Sequence, residues 1–145
     1  MEVSRIRALR GPNLWTRHTA IEALVQCDAE HTDITRLPHF EARLRHLFPG
    51  MGSLLPTEHK AKVSLAHALE SATLHLQTEA GCPVTFSRTT LTPDAGLYQV
   101  VVEYTEEPVG RLALKLAQEL VQATLRSEEH TSELQSHSFI SYAVF

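Results

Sequence analysis

Strong charge of either sign is the first thing missing. The formal net charge is −4 over 145 residues, so composition gives no support to general nucleic-acid binding or to adhesion on an anionic membrane. Cysteine is scarce. Cys27 and Cys82 are the only two, both in apolar contexts without metal-ligand spacing, which leads us to expect reduced thiols in a cytoplasmic protein. The six glycines are scattered at turns and helix ends. No G-x-x-x-x-G-K frame is present, so no phosphate-cradling loop for ATP is expected. No apolar run approaches the length of a membrane span, and the first residues lack an apolar signal core. What remains, 43% apolar and 21% charged, is the composition of an ordinary globular chain, long enough for one domain with a modest core.

Most of the apolar mass lies in residues 63–104. Leu65, Leu69, Ala72 and Leu76 fall at helical spacing, and Gly81 follows them as a stop signal. A strand over residues 85–90, a turn containing Pro93, Asp94 and Gly96, and a second strand over residues 97–104 come next. In the second strand Tyr98, Val100, Val102 and Tyr104 share the face expected to enter the core; Leu97, Gln99, Val101 and Glu103 share the other. The carboxylate of Glu103 interrupts an apolar run, which places it near an open strand end or beside a polar site.

The same helix carries His67, Glu70, Ser71 and His75. An His-x-x-Glu-His pattern on a helix holds zinc through its two histidines and supplies a base through its glutamate. Here serine stands at the second histidine position. His75 is two turns from His67, roughly 12 Å along the axis, too far for both to bind one ion. The alternative reading is an ordinary polar helix face.

Elsewhere, residues 2–9 alternate. Ser4, Ile6 and Ala8 would share one face, and Val3, Arg5, Arg7 and Leu9 the other, as a strand with a basic face. Gly11, Pro12 and Asn13 break it, and Trp15, the one indole, is expected to anchor packing beneath that turn. Residues 19–27 mix helical composition with strand alternation; we take them as a strand pairing with the first. Residues 28–37 read as a polar connection. Residues 38–48 read as a short helix with Phe40, Leu44 and Leu47 inward and Arg43, Arg45 and His46 outward. Residues 49–60, with two prolines and two glycines, read as a loop. A final helix over residues 106–125 has Thr105 as its expected N-cap, Glu106, Glu107 and Pro108 in its first turn, and a buried stripe of Val109, Leu112, Leu116 and Leu120. Gly110 within it costs about 1 kcal/mol relative to alanine unless something packs closely there.

Residues 126–136 spell RSEEHTSELQS. Those eleven residues are the direct translation of a common short-read sequencing-library adapter. The expectation is that residues 126–145 are adapter-derived read-through, set aside from fold reasoning as an expression tag would be, and that the natural protein continues differently after Leu125. Without Arg126, Glu128, Glu129 and Glu133 the acidic excess shrinks.

Several segments together resemble the N-terminal domain of cyanophycin synthetase. They are IRALRGPNLW (residues 6–15), the helix ending at Gly81, FSRT (86–89), GLYQVVVEYTEE (96–107) and GRLALKLAQEL (110–120). The resemblance covers nearly all of residues 1–125; the first and fourth segments are its most specific parts. It implies a parent that polymerises aspartate and arginine with ATP and Mg, through ATP-grasp and Mur-ligase-like domains that this chain lacks. The domain itself would have no ligase centre and no cofactor of its own, and would help to hold the polymer and build a homo-oligomer. The resemblance also implies that some members carry the intact His-x-x-Glu-His as a metallopeptidase-like site that nicks the polymer into primers. Here His67 and Glu70 match it and Ser71 departs, with Glu103 as a possible third ligand; we expect a degenerate remnant without hydrolase activity.

Three functions compete. In the first, the domain holds cyanophycin, a zwitterionic polymer with aspartate backbone and arginine side chains, on a surface of mixed charge for which Arg5, Arg7, Arg88 and Glu103 are candidates. In the second, it is a metal-dependent hydrolase of the same polymer. In the third, it only sets oligomer geometry through the helix at residues 38–48 or the last helix. The polymer-holding reading carries no nucleic-acid or membrane partner. The expected fold is α+β: a mostly antiparallel four-stranded sheet with helices packed on one face.

Overall fold

The computed structural model describes residues 1–37, 39–50 and 62–137, with side chains of the last helix as far as residue 129. The chain runs β1 (Glu2–Leu9), β2 (Ala20–Gln26), two short 3-10 turns (Ala29–His31 and Ile34–Arg36), α1 (Phe40–Leu47), α2 (Leu65–Glu79), β3 (Ser87–Leu91), β4 (Leu97–Glu103) and α3 (Glu107–His137). The four strands form one sheet in the order β1-β2-β4-β3, antiparallel throughout. The fold is α+β, as expected. Residues 51–60 of the expected loop at 49–60, residue 61, and the last apolar residues of the tail lie outside the described residues.

One face of the sheet makes the core. Ile21, Ala23 and Val25 of β2 and Tyr98, Val100 and Val102 of β4 meet Phe40 and Leu44 of α1, Leu65, Leu69 and Ala72 of α2, and Leu114, Ala117 and Val121 of α3. The expected alternation of β4 holds through Tyr104, which is also buried.

Both ends of α2 are chemically fixed. At its start Ser64 is the N-cap and His67 the residue that bonds back to it. At its end Gly81 has φ +81, the Cys82 amide donates to the Gln77 carbonyl at 2.9 Å and the Gly81 amide to the Thr78 carbonyl at 3.1 Å. This is the paired-bond stop that a glycine in left-handed conformation permits. The β3–β4 turn closes through Gly96, φ +72, where an added Cβ would lie 2.6 Å from the Cys27 carbonyl oxygen.

Four local expectations need correcting. In β1, Ser4 pairs with Leu24 and Arg7 with Glu22, so Arg5 and Ile6 together oppose one residue of β2. This is a β-bulge, with Arg5 at φ +50. It reverses the alternation between Val3 and Ala8, and both pack on the core, which strict period-two geometry forbids for residues five apart. In α1, Leu47 is exposed, and Phe48 beyond the helix fills the inward place. In α3, Leu112 and Leu116 are 56% and 39% exposed; the buried line is Gly110, Ala113, Leu114, Ala117, Val121 and Leu125. The helix begins at Glu107, so Glu106 rather than Thr105 precedes its first turn.

At Gly110 a neighbour does pack closely. A Cβ there would lie 2.7 Å from the Tyr104 Cβ and 3.0 Å from the Ile21 Cδ1. Finally, α3 crosses residue 125 without a break. Ser127 Oγ accepts from Arg43 at 2.6 Å, and Glu128 is buried, its Oε1 accepting from the His39 amide at 3.3 Å.

Candidate binding face and the remnant site

Among the described residues, the second face of the sheet has no helix over it. Register assigns its residues: Arg7 pairs with Glu22, Glu22 with Val101, and Val101 with Arg88. These four lie in one row across all four strands, so Arg7 and Arg88 are about 14 Å apart at ordinary strand spacing. Glu22 is the hinge of the row. Its Oε1 accepts from Arg7 at 2.6 Å and its Oε2 from the Gln99 amide at 2.8 Å. Arg5, displaced by the bulge, lines a shallow concavity with Ile6, Arg7, Glu22 and Leu24. The bulge therefore keeps Arg5 and Arg7 on one surface even though it breaks the alternation that first grouped them.

The loop over residues 10–19 lies against this face. Asn13 organises it: its Oδ1 accepts from the amides of Trp15 and Thr16 at 2.9 and 3.1 Å, and its Nδ2 donates to the carbonyls of Gly11 and His18 at 3.2 and 3.0 Å. An asparagine side chain mimics a backbone turn in this way. The neighbouring Gly11 has φ +89, a conformation that strains other residues. The loop thus presents Trp15 to Arg88, whose guanidinium carbon is 5.7 Å from the ring centroid, within range of a cation–π contact. Trp15, expected to anchor packing beneath the turn, is half-buried and packs against Arg88 on the open face.

The rim of the same loop is tied to α3. Arg10 and Arg111 both bond Glu107, at 2.9 and 3.0 Å. Hydrogen bonds first from Arg111 and then from Arg10 hold the Glu107 carboxyl below its ordinary pKa.

Glu103 falls on this second face, two residues along β4 from Val101. It is 5% exposed and lines a cavity of about 510 Å³ with Gly11, Arg17, His18, Thr19 and Thr85. Arg5, Arg7, Arg88 and Glu103, chosen from sequence, thus share one surface. Sequence reasoning missed Glu22, although an isolated carboxylate in the apolar run of β2 was a visible signal, as it was at Glu103.

His67 and Glu70 stand on the opposite, helix-covered side. The His67 Nδ1 accepts from the Ser64 amide at 3.0 Å and meets the Ser64 hydroxyl at 2.8 Å, while the His67 amide donates to the Ser64 Oγ at 3.3 Å. Histidine thereby takes the place that glutamate or glutamine fills in the usual reciprocal cap. An accepting Nδ1 requires the neutral ring with its proton on Nε2. Burial also lowers the His67 pKa, against the opposing pull of Glu70.

Glu70 is a clamp. Its Oε1 accepts from the Thr89 hydroxyl and its Oε2 from the Ser87 hydroxyl, each at 2.6 Å, which joins α2 to β3. His75 Nδ1 lies 2.8 Å from the Ser71 carbonyl. The residues do not fit a zinc ion at this helix. Ser71 offers no imidazole, Glu103 belongs to the other face of the sheet, and the group of three metal-ligating side chains found close together among the described residues is Asp28, Glu30 and His31, not one containing His67 and Glu70. Cys27 beside the helix is buried, which pushes its thiol pKa up and leaves it a poor nucleophile.

Among the described residues, no helix is long and apolar enough to cross a membrane. The model of the cyanophycin synthase-like N-terminal domain matches residues 22–126, and the chain belongs to that family. Among curated proteins it is similar to the cyanophycin synthetases of Trichormus variabilis and Nostoc sp., each 33% identical over 138 residues, covering 85% of this chain and 15% of the relative. The Synechocystis cyanophycin synthetase is 26% identical over 144 residues, covering 90% of this chain. The chain spans about 15% of the length of the first two relatives.

Proposed function

We propose that this domain holds the Asp/Arg polymer cyanophycin on the helix-free face of its sheet, as the N-terminal part of a longer ATP-dependent ligase. The observation that carries this reading is the row Arg7, Glu22, Val101, Arg88, flanked by Arg5 and Glu103. A polymer with a carboxylate and a guanidinium in every repeat needs charge of both signs, which Arg7, Glu22 and Arg88 present, rather than a field of one sign. Amide-bond formation would belong to ATP-grasp and Mur-ligase-like domains elsewhere in the protein, where ATP and Mg would act. The domain's place in a homo-oligomer and in the cytoplasm is part of the same proposal. No feature of the His67–Glu70 helix favours the hydrolase reading over this one.

Co-sedimentation of the purified chain with insoluble polymer tests it. The chain should pellet with the polymer, and the Arg7→Glu/Arg88→Glu variant should be retained several-fold more weakly, up to roughly 30-fold, since each of the two exposed charge contacts is worth up to about 1 kcal/mol. Unchanged retention by that variant would remove this face from the proposal.

A further inference from the structure

The cavity beside Glu103 is not explained by a polymer lying across the sheet. Its floor holds a carboxylate that is 5% exposed. Among the described residues that carboxylate has no hydrogen bond and no ion pair, although the Glu103 backbone is engaged: its amide donates to the Phe86 carbonyl and its carbonyl accepts from Gln77. The Glu103 oxygens are not among the enclosed unpartnered atoms of the described residues, so the carboxylate meets solvent through this cavity and is open to a counter-charge from a ligand. Arg17 is at the rim of the same cavity, exposed, and also without an ion pair among the described residues. The two opposite charges line one space without meeting each other. His18, Thr105 and the hydroxyl of Thr85, which has no partner among the described residues, add to the polar lining, while the Thr19 hydroxyl is spent on the Tyr104 carbonyl at 2.6 Å. At about 510 Å³ the space is of the size that small ligands use.

The geometry points to a subsite for a zwitterion, whose guanidinium enters to Glu103 and whose carboxylate stays at the rim with Arg17. A guanidinium suits the floor better than an ammonium because its planar fork matches both oxygens of a carboxylate. The rim is pre-set, because Asn13 fixes the loop that carries Arg17 through the His18 and Gly11 carbonyls. This assignment deepens the polymer-holding reading and rests on it for its biological meaning: one arginine-bearing repeat would be pinned here while the rest of the polymer follows the charged row.

The test uses small probes on the full chain, so that it stands apart from polymer retention. Titrations with L-arginine, agmatine and L-lysine are followed by calorimetry and amide chemical shifts. L-arginine should bind, with shifts at Gly11, His18 and Thr85, and more tightly than L-lysine. Glu103→Gln should weaken arginine and agmatine alike by about tenfold or more, the usual worth of a charge-assisted hydrogen bond. Arg17→Ala, an exposed change that leaves the fold alone, should weaken arginine several-fold and leave agmatine, which has no carboxylate, unchanged. Absence of arginine binding, equal losses for arginine and agmatine in Arg17→Ala, or preference for lysine would each overturn the assignment. If Glu103→Gln fails to fold, the Arg17→Ala pair of titrations decides alone. Polymer retention without arginine binding would sink the subsite and spare the face; arginine binding without polymer retention would do the reverse.

Discussion

The two faces of the sheet are built on opposite terms. On the helix side, Tyr98, Val100 and Val102 enter a continuous apolar core, and the residues of the motif are committed there: Glu70 to two hydroxyls, His67 to a helix cap, while the Gln77 amide donates to the Glu103 carbonyl and its oxygen has no partner among the described residues. On the open side, polar groups face outward in a fixed register, and the carboxylate of the largely buried Glu103 has no partner among the described residues. The residues with the more suggestive motif are therefore spent on joining elements inside the fold, and the residues without a motif lie on the open face, where Arg7, Glu22 and Arg88 have partners and Glu103 has none among the described residues.

The largest test of that contrast is in the core. Leu69 is fully buried, and Leu69→Ala should cost about 3 kcal/mol, as cavity-forming changes do. Leu116→Ala, on the exposed line of α3, should stay within about 0.5 kcal/mol. Chemical denaturation of both variants measures this. Equal losses would mean that the buried stripe of α3 is the one that leucine spacing suggested.

That stripe shows where sequence is readable and where it is not. The alternation of β4 was legible because each strand residue chooses between two faces: Tyr98, Val100, Val102 and Tyr104 share one, and the polar Gln99 and Glu103 mark the other, which Val101 joins. In α3 the leucines suggested the wrong face. Close packing of a helix on its neighbours selects for small side chains as much as greasy ones, and Gly110, Ala113 and Ala117 carry little hydrophobic signal. The bulge in β1 was invisible because it is a property of pairing with β2, not of residues 2–9 alone. At the candidate site, Arg5, Arg7, Arg88 and Glu103 were all visible as charges on strands. Their shared surface depends on the strand order β1-β2-β4-β3, which local pattern does not encode. The roles of His67 and Glu70 were hidden for the opposite reason: a motif directed attention to chemistry, and their actual partners, Ser64, Ser87 and Thr89, lie outside it.

A second, smaller effect is expected at Gly110. An alanine there gains about 1 kcal/mol of helix propensity but drives a Cβ to 2.7 Å from Tyr104, a clash of the kind that costs about 1–3 kcal/mol. The net should be a loss of about 1 kcal/mol in denaturant unfolding. A gain would show that α3 can retreat from β4, and that the helix side is less tightly set than the comparison requires.

The cap at His67 sharpens the contrast through pH. Its folded pKa is lowered, so the unfolded chain takes up a proton near pH 6.5 that the folded chain still refuses. Stability from this group is present above the unfolded value and is lost as pH falls from there to the lower folded value. His67→Gln keeps a reciprocal cap and removes the titration. The variant should match the parent in melting temperature at pH 8 and lose less of it on acidification to pH 5.5. Equal acid sensitivity would take His67 out of the helix's stability and return it to the list of groups that need a functional explanation.

The smallest effect is expected from removing residues 126–145. The segment has a structured beginning, since α3 continues through it and Glu128 is buried. Yet its contribution is polar and poorly balanced. Glu128 Oε2 has no hydrogen-bond partner, its approach to Arg43 is a long 3.8 Å, and a buried carboxylate satisfied on one side returns little of its desolvation cost. The apolar stripe that joins α3 to the core ends at Leu125, and the family match ends one residue later, at 126. A chain ending at residue 125 should therefore fold, melt within about 3 °C of the full chain, a shift worth about 1 kcal/mol or less, and retain arginine and polymer unchanged. If it does, the core and the open face together make the domain, and the adapter-like segment is only a passenger on the end of α3. If it melts far lower, the contacts of Ser127 and Glu128 with α1 are structural, and the reading of that segment as read-through has to be given up.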